Sequence, residues 1–521
     1  MGMTTGEVPA AQLVGEDVEV VGARVTGVLD LTDAPPSTLR FVRCRFDEPP
    51  VLREASMRAL EFHGCELPGL DARRLRCRGD VVLAGTVVHG AVELGDAEVG
   101  GELSFEDSRV GAVFARRACV GGDVQLAGAA FGEVGGVSLD LRGARVGGGV
   151  LGENEVRIGV TAEGSLLLAD ARVGGALCLR QARVGAVNAD RVRLVGDLDA
   201  TEARLALSLV GASVGGSLVL GAAEADALVL DRARVAGHVH LAFALVRTGV
   251  SLVDARVGGD LRASCAELRD FIGTRARVTG DVDLGQLRVE DVVCLSAADV
   301  GGVLDLSGAD LAGALDLSAA RIAGELKMGD LAAQGTVNLS GAAVRCRVDL
   351  RGAHLGARLD ACGLVTWELR LAVEDPPRGR VDLRDARCAT LRDNGFLWGA
   401  RGGVELTGFG YRRLEPRLED RVAVRRRLSQ LRSATDRFTP DAYDRLANVL
   451  RLDGRESEAA AVLVEKQRLR YAERARSAGW AGPVVTAWSS LLLSLTGYGY
   501  RLGRGVAYLL AVASLVALLL F

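Results

Sequence analysis

Large and chemically reactive side chains are scarce in this sequence. Aromatic residues make up 4% of the 521 residues, and Lys327 and Lys466 are the only lysines among 63 basic residues. Glycine is abundant instead, with 67 residues, about twice the usual share. Leu, Val and Ala with so much glycine suit thin stacked layers better than a thick globular core. This composition therefore disfavours a chain of several ordinary enzyme domains.

Motifs for catalysis and cofactor binding are absent as well. The ten cysteines occur singly, with no CxxC and no Cys-His spacing typical of zinc, so we expect small buried thiols in a reducing compartment. No GxxxxGK[ST] or GxSxG occurs, and Gly497–Gly503 lacks the GxGxxG spacing. His238 and His240 share a strand face, but no further ligand stands at a suitable spacing. We therefore predict no catalytic residue, no cofactor-binding residue and no metal ligand.

Charge is distributed unevenly along the chain. Residues 411–477 carry 17 basic and 11 acidic side chains, and residues 478–521 carry two arginines and no acid. The first 410 residues therefore have a net charge of −12, within a total of −4. An acidic body with interspersed arginines precedes a basic neck and an almost uncharged tail, which makes nucleic acid an unlikely partner.

An eleven-residue repeat fills the acidic body. In Val303–Gly329, the residues Leu306, Leu317 and Met328 recur at intervals of eleven, each with a leucine two positions earlier. Elements such as Ala233-Arg-Val235 and Ala255-Arg-Val257 stand between such pairs, so the idealised unit is A-x-V-x-G-x-L-x-L-x-x. Period-two alternation places Ala, Val and both Leu on one face, with charged residues facing water. Gly-Gly steps separate the strands and allow sharp corners.

Strands this short cannot form hairpins, so the chain must coil until each strand lies on its equivalent in the next turn. Two units, about 22 residues, would form one four-sided coil. We predict a mainly β fold, with a leader or cap at residues 1–17 and a β-solenoid at 18–408. Leucine-rich repeats are the alternative, although they require an asparagine ladder and a helical segment that this chain lacks.

The repeat resembles that of pentapeptide-repeat proteins. Ala309-Asp-Leu-Ala-Gly313 is similar to their A-[DN]-L-x-x unit, and Ala314–Ala319 resembles that unit lengthened by one residue. The resemblance implies a right-handed, roughly four-sided β-helix.

The periodicity becomes helical after Phe409. Apolar residues at Leu418, Val422, Leu428 and Leu431 predict one helix, and Thr439-Pro440 begins another. Gly454 ends the second helix, and Ser457–Arg476 forms a third. Residues 443–450 with Glu458-Ala459 resemble one tetratricopeptide-type hairpin. We therefore predict an α-helical neck at 409–477.

The tail indicates a membrane anchor. Residues 505–521 are uncharged and would form a helix of about 25 Å, so we predict a single transmembrane helix there. Residues 478–504 would lie in the interface, or span the membrane as well, anchored by the aromatic and basic residues Trp480, Trp488, Tyr498, Tyr500, Arg501 and Arg504. Because residues 1–20 contain no secretory signal, we expect the bulk of the chain to be cytoplasmic and tethered to the plasma membrane.

A second resemblance spans the chain. The solenoid, Leu406-Thr-Gly-Phe-Gly-Tyr411, the helical hairpin, Glu465-Lys-Gln-Arg468 and the tail together look like an actinobacterial group labelled membrane-associated oxidoreductases. From the residues alone we expect a non-enzymatic scaffold that binds the lipid bilayer and an unknown protein partner, or an identical chain. An oxidoreductase is the alternative that the resemblance implies, and a DNA-mimicking rod is a third.

Overall fold

The computed structural model describes residues 2–4, 6–14, 17–133, 135–153, 159–435, 438–496 and 498. Two compact units divide the chain, Met1–Asp305 and Leu306–Phe521. Both contain coils of a right-handed β-solenoid, about 18 in all, and the second also contains the helices.

One coil of the first unit illustrates the architecture. Its four sides are the strands Arg234–Val235, Val239–His240, Leu245–Val246 and Val250–Ser251. The strands of neighbouring coils pair in parallel: Arg234 lies beside Arg256, and Arg256 beside Arg277. These partners are 22 and 21 residues apart, which confirms the predicted coil length. Two coils are longer, since Cys119, Arg145 and Arg172 are partners at separations of 26 and 27 residues.

Small apolar side chains fill the inside of each coil. In the coil above, Ala233, Val235, Val239 and Leu241 are each at most 4% exposed, while Arg234 between them is exposed. Burying a Val or Leu contributes about 1.5–3 kcal/mol, so each coil gains stability mainly from its inward face. The predicted inward and outward faces of the repeat are therefore confirmed.

Two kinds of corner residue shape each coil, one by its backbone conformation and the other by its small size. The residue before each A-x-V element adopts a left-handed conformation, and Arg232, Asp254 and Arg275 have φ near 57° there. The Gly-Gly steps between the A-x-V and L-x-L strands, such as Gly258-Gly259, are not left-handed. A Cβ on Gly258 would stand 2.2 Å from the carbonyl oxygen of Ala236 in the preceding coil, so glycine allows the coils to approach closely there. The Gly-Gly steps thus permit close stacking of coils, whereas our prediction assigned them only to the sharpness of the turn.

Most strands contain two to four residues, but some run through a corner and are longer. In the first unit the longer strands are Ser37–Val42, Ser56–His63, Val87–Glu93, Arg109–Phe114, Thr161–Leu167, Arg183–Asn188, Arg204–Ser208, Glu224–Val229, Glu267–Ile272 and Arg288–Cys294. The parallel ladder already begins at Gly2–Thr4 and Glu7–Pro9, which pair with Val18–Val21 and Arg24–Thr26. The predicted leader at residues 1–17 therefore supplies strands of the solenoid.

The second unit starts with the same kind of coil. Its first sides are Asp310–Leu311, Ala314–Asp316, Arg321–Ile322 and Leu326–Lys327. Longer strands follow at Ala343–Asp349, Val365–Leu371 and Arg387–Asp393. The last strand is Arg413–Glu415, which pairs with Arg387–Asp393, so the solenoid extends past the predicted boundary at residue 408.

Four α-helices complete the second unit: α1 (Arg421–Ala434), α2 (Pro440–Leu452), α3 (Glu456–Ser477) and α4 (Gly482–Thr496). As predicted, Pro440 opens α2 behind Thr439, and Gly454, with φ +76°, follows its end. α2 and α3 pack against each other, and Lys466 pairs with Asp444 at 2.6 Å. None of the helices in the described residues is long and apolar enough to cross a membrane. The predicted transmembrane helix at 505–521 lies outside those residues.

Candidate functional site

Two outward columns of the first unit contain ion pairs between neighbouring coils. In the column of left-handed corner residues, arginines bond acids one coil away: Arg117 to Asp96, Arg191 to Asp170 and Arg275 to Asp254, each at 2.7 Å. On the opposite side of the coil, Arg204 and Arg288 pair with Glu224 and Glu267. Alternation of opposite charges between stacked coils is the favourable arrangement for neighbouring strands.

A second set of acids is used by the backbone. Asp80, Asp197 and Asp281 follow the glycine corners, and each carboxylate accepts the amide of the equivalent position in the next coil, at 2.6–2.8 Å. Buried or strained corner amides need such partners, since an unmade hydrogen bond costs more than a made one contributes. These acids therefore have a folding role.

One column departs from both patterns. The outward residues of the A-x-V strands include six exposed arginines, which we call the arginine row: Arg145, Arg172, Arg193, Arg234, Arg256 and Arg277. Arginine lies on arginine in four of the successive pairs, and Ser213 stands between the two groups of three. Within the described residues, none of the six has an ion pair or a side-chain hydrogen bond.

The first half of the arginine row borders an open groove. The groove has a volume of about 830 Å³ and extends from Arg76 to Val195 along the corner of successive coils. Its floor consists of corner glycines, including Gly121, Gly147 and Gly174, where any side chain would collide with a carbonyl of the coil below. Val195 is 70% exposed at one end of the groove. The site is therefore a long channel with a backbone floor and a cationic wall.

Stacked like charges are unfavourable by themselves. At the strand spacing of about 4.8 Å, two unit charges in water repel by about 1 kcal/mol or less, and salt reduces this value. Repulsion of this size is tolerable in a solenoid but contributes nothing to folding. An acidic ligand would remove this repulsion.

The second unit contains a buried charged cluster. Arg427 of α1 donates two hydrogen bonds to Asp393, at 2.7 and 2.6 Å, and its guanidinium carbon lies 4.9 Å from the centre of the Trp398 ring. The Trp398 indole also donates to Asp393, at 3.1 Å. Both charged side chains are at most 9% exposed. This cluster fastens α1 to the solenoid coil that contains Asp393.

The predicted membrane anchors fall into three groups. Trp480 is 93% exposed and Trp488, in α4, is 55% exposed, and their predicted interfacial role stays a prediction. Tyr498 instead stacks on Tyr471 of α3 at 5.5 Å, and its hydroxyl bonds Ser489. Tyr500, Arg501 and Arg504 lie outside the described residues.

One histidine of the His238 and His240 pair forms a hydrogen bond with the backbone of the next coil. The rings of His238 and His240 are 5.7 Å apart, and Nδ1 of His238 accepts the amide of Asp260 at 2.9 Å. Partial burial, followed by the charge of Arg262, lowers the pKa of His240. The described residues contain no group of three or more metal-ligating side chains.

A ladder of buried hydrogen bonds in the first unit is absent from our sequence-based predictions. Cys44, Cys65, Thr86 and Ser108 occupy the inward Ala position of successive coils, 21 or 22 residues apart. The amide of each of the first three donates to the Sγ or Oγ of the next, at 3.3–3.4 Å. The hydrogen bond with Cys44 and burial raise the pKa of the Cys65 thiol. Because both thiols are only 2% exposed, the pair is a structural part of the core. The spacing of one coil was the signal that could have revealed it.

No protein-family model matches the chain, and no curated protein is significantly similar to it.

Proposed function

We propose that the protein is a membrane-tethered scaffold whose arginine row binds an acidic protein partner. The observation that carries this proposal is the stacking of six exposed arginines, none with an ion pair in the described residues, in a unit where the column of left-handed corner residues pairs its charges between coils. An extended acidic segment placed along the row would neutralise several guanidinium groups at once. Arginine forms bidentate hydrogen bonds with carboxylates, which adds directional contacts to the charge attraction.

An acidic protein fits this surface better than a nucleic acid does. The arginine row is narrow. Asp170 and Asp254 precede its strands along the chain, and Asp197 and Asp281 follow them after the glycine corners, so carboxylates flank the row. A nucleic-acid backbone, with a charge on every residue, would meet these carboxylates as well as the arginines. A single extended peptide can keep its acids over the row alone.

The tether rests on the sequence of the tail. The uncharged residues 505–521, the basic neck and the exposed Trp480 and Trp488 support attachment to an anionic cytoplasmic surface of the plasma membrane. The solenoid would then present the arginine row to partners in the cytoplasm. Loss of membrane binding on deletion of residues 478–521 supports this arrangement, and retention of the truncated protein after a salt wash contradicts it.

The test of partner recognition compares two triple variants of the full-length protein in neutral detergent. Arg145→Gln, Arg172→Gln and Arg193→Gln together remove half of the arginine row, whereas Arg117→Gln, Arg191→Gln and Arg275→Gln remove the same charge from the paired column. With poly-L-glutamate as the probe, we expect saturable binding that the first variant weakens at least tenfold and the second leaves nearly unchanged. Equal loss in both variants, or binding of single-stranded DNA but not of poly-L-glutamate, would refute the proposal.

An oxidoreductase activity, DNA mimicry and self-association stay predictions, and a different measurement tests each of them. An oxidoreductase should show a bound chromophore in the ultraviolet-visible spectrum of the purified protein, or turnover with an added nicotinamide or flavin. A DNA mimic should inhibit the supercoiling reaction of a type II topoisomerase. Self-association should appear as a dimer in analytical ultracentrifugation that the variant of the arginine row alters.

A further inference from the structure

A cleft in the second unit has the size and the lining residues of a small-molecule site. Its volume is about 490 Å³, within the range of ligand pockets. The cleft lies between the strands Val365–Leu371 and Arg387–Asp393, the segment Gly408–Arg412 and helix α2. All of these elements belong to the second unit.

Three arginines of the cleft have no acidic partner. Arg387 and Arg412 come from the solenoid and Arg445 from α2, and in the described part of the chain none of them has an ion pair or a side-chain hydrogen bond. Gly410 is the point where two of them meet, since a Cβ there would lie 3.5 Å from Nη2 of Arg445 and 3.9 Å from Cγ of Arg387. No acidic residue lines the cleft. Three uncompensated guanidinium groups around one cavity favour an anionic occupant.

Two aromatic residues indicate the remainder of the ligand. Trp367 lines the cleft and is 66% exposed, although its neighbour Thr366 points inward and is buried. An exposed indole at the edge of a pocket presents a face for stacking. Tyr411 is 91% buried against the cleft, yet its hydroxyl forms no hydrogen bond within the described residues. A hydroxyl without a partner at the wall of a cleft is free to hydrogen-bond a polar atom of a ligand.

We propose that this cleft binds a small anion that carries a planar ring, of the chemical class of a nucleoside monophosphate. Arg387, Arg412 and Arg445 hold the anionic group, Trp367 stacks on the ring, and the Tyr411 hydroxyl bonds a polar atom of the ligand. The site is separate from the arginine row, so its occupancy does not depend on the proposed scaffold function.

Calorimetric titration of the full-length protein in neutral detergent tests the proposal, with adenosine 5′-monophosphate, adenosine and inorganic phosphate as probes. We expect the monophosphate to bind with a Kd below about 1 mM and the other two at least tenfold more weakly. Arg445→Gln should weaken the monophosphate at least tenfold, and Trp367→Ala should weaken the monophosphate without changing phosphate. Gly410→Val, which fills the cavity where Arg387 and Arg445 meet, should abolish binding.

The control is Arg401→Gln, an exposed arginine of the same unit that does not line the cleft. It should bind the monophosphate as the parent protein does. Circular dichroism and the thermal transition verify that each variant is folded. Absence of saturable monophosphate binding, or binding that survives both Arg445→Gln and Gly410→Val in folded protein, would overturn the proposal, as would phosphate binding as tightly as the monophosphate.

Discussion

The buried pair of Arg427 and Asp393 should determine whether helix α1 stays on the solenoid. Replacing Arg427 with Met leaves the Asp393 carboxylate in a site where it is 2% exposed, with only the Trp398 indole still donating to it. Removing one partner of a buried ion pair costs about 3–5 kcal/mol, because the remaining charge has lost its compensation. Asp393→Asn should cost at least as much, since the Nε of Arg427 already lacks a hydrogen-bond partner.

Hydrogen exchange measures this cost at the helix itself. A solenoid unfolds in parts, so the opening of α1 need not coincide with global unfolding. A loss of 3–5 kcal/mol corresponds to roughly a 150- to 5,000-fold increase in the opening constant. Amides in peptides from Arg421–Ala434 should therefore exchange faster by this factor in Arg427→Met, while peptides from the first unit should not change.

Two further variants separate charge burial from lost packing. Arg426→Met changes an exposed arginine beside Arg427 and should leave exchange in α1 unchanged. The double variant Asp393→Leu and Arg427→Met removes both charges, so it should recover much of the protection that either single variant loses. Exchange in Arg427→Met that stays within threefold of the parent protein would refute the reasoning, because the pair would then contribute nothing to docking.

Three other features make predictions of their own. Ser213→Glu places an acid between Arg193 and Arg234 and should slow hydrogen exchange in the strand Ser213–Val214, whereas Ser213→Arg should accelerate it. Because salt screens exposed charges, 0.5 M NaCl should reduce the difference between the two variants. A difference that persists in salt would contradict an electrostatic cause. Gly258→Ala brings a Cβ within 2.2 Å of the Ala236 carbonyl oxygen and should destabilise by about 1–3 kcal/mol, while Gly221→Ala, with 4.0 Å of clearance, should be tolerated in the same thermal melt. Burial would raise the pKa of Asp140, but hydrogen bonds from Arg142 and Arg116 hold this pKa below its ordinary value. Its contribution is therefore present above pH 4 and lost as the pH falls through the folded-state pKa, so Asp140→Asn should lower stability at pH 7 by about 2 kcal/mol and flatten the decline of stability below pH 4.

The repeat made the solenoid predictable because its inward residues carry a purely local signal. Leu306, Leu317 and Met328, which define the eleven-residue interval, are all fully buried. Period-two alternation and coil length follow from such positions without any knowledge of long-range contacts. The helices after residue 416 were predictable for the same reason, since Pro440 and Gly454 mark local boundaries.

Contacts that join distant segments could not be predicted in this way. Arg427 and Asp393 are 34 residues apart and belong to no common repeat, so only the docking of α1 brings them together. The cleft around Gly410 likewise needs Arg445 from α2 beside two solenoid strands. The arginine row is an intermediate case. Its A-R-V elements are visible in the sequence, but they were interpreted as a solvated face because the stacking of like charges appears only after residues 21 or 22 apart are aligned.

The outward surface of the first unit can be divided by what folding requires of it. The column that contains Arg117, Arg191 and Arg275 pairs its charges between coils, and the acids after the glycine corners bind backbone amides, so both have a structural reason to be charged. The arginine row satisfies no group of the described chain and repels itself, so stability alone would favour acids or neutral residues at alternate coils. We propose that a ligand with its own row of opposite charges offsets this repulsion along strands spaced about 4.8 Å apart. That difference between the columns is why the arginine row, rather than the more abundant paired charges, is the place to look for the partner.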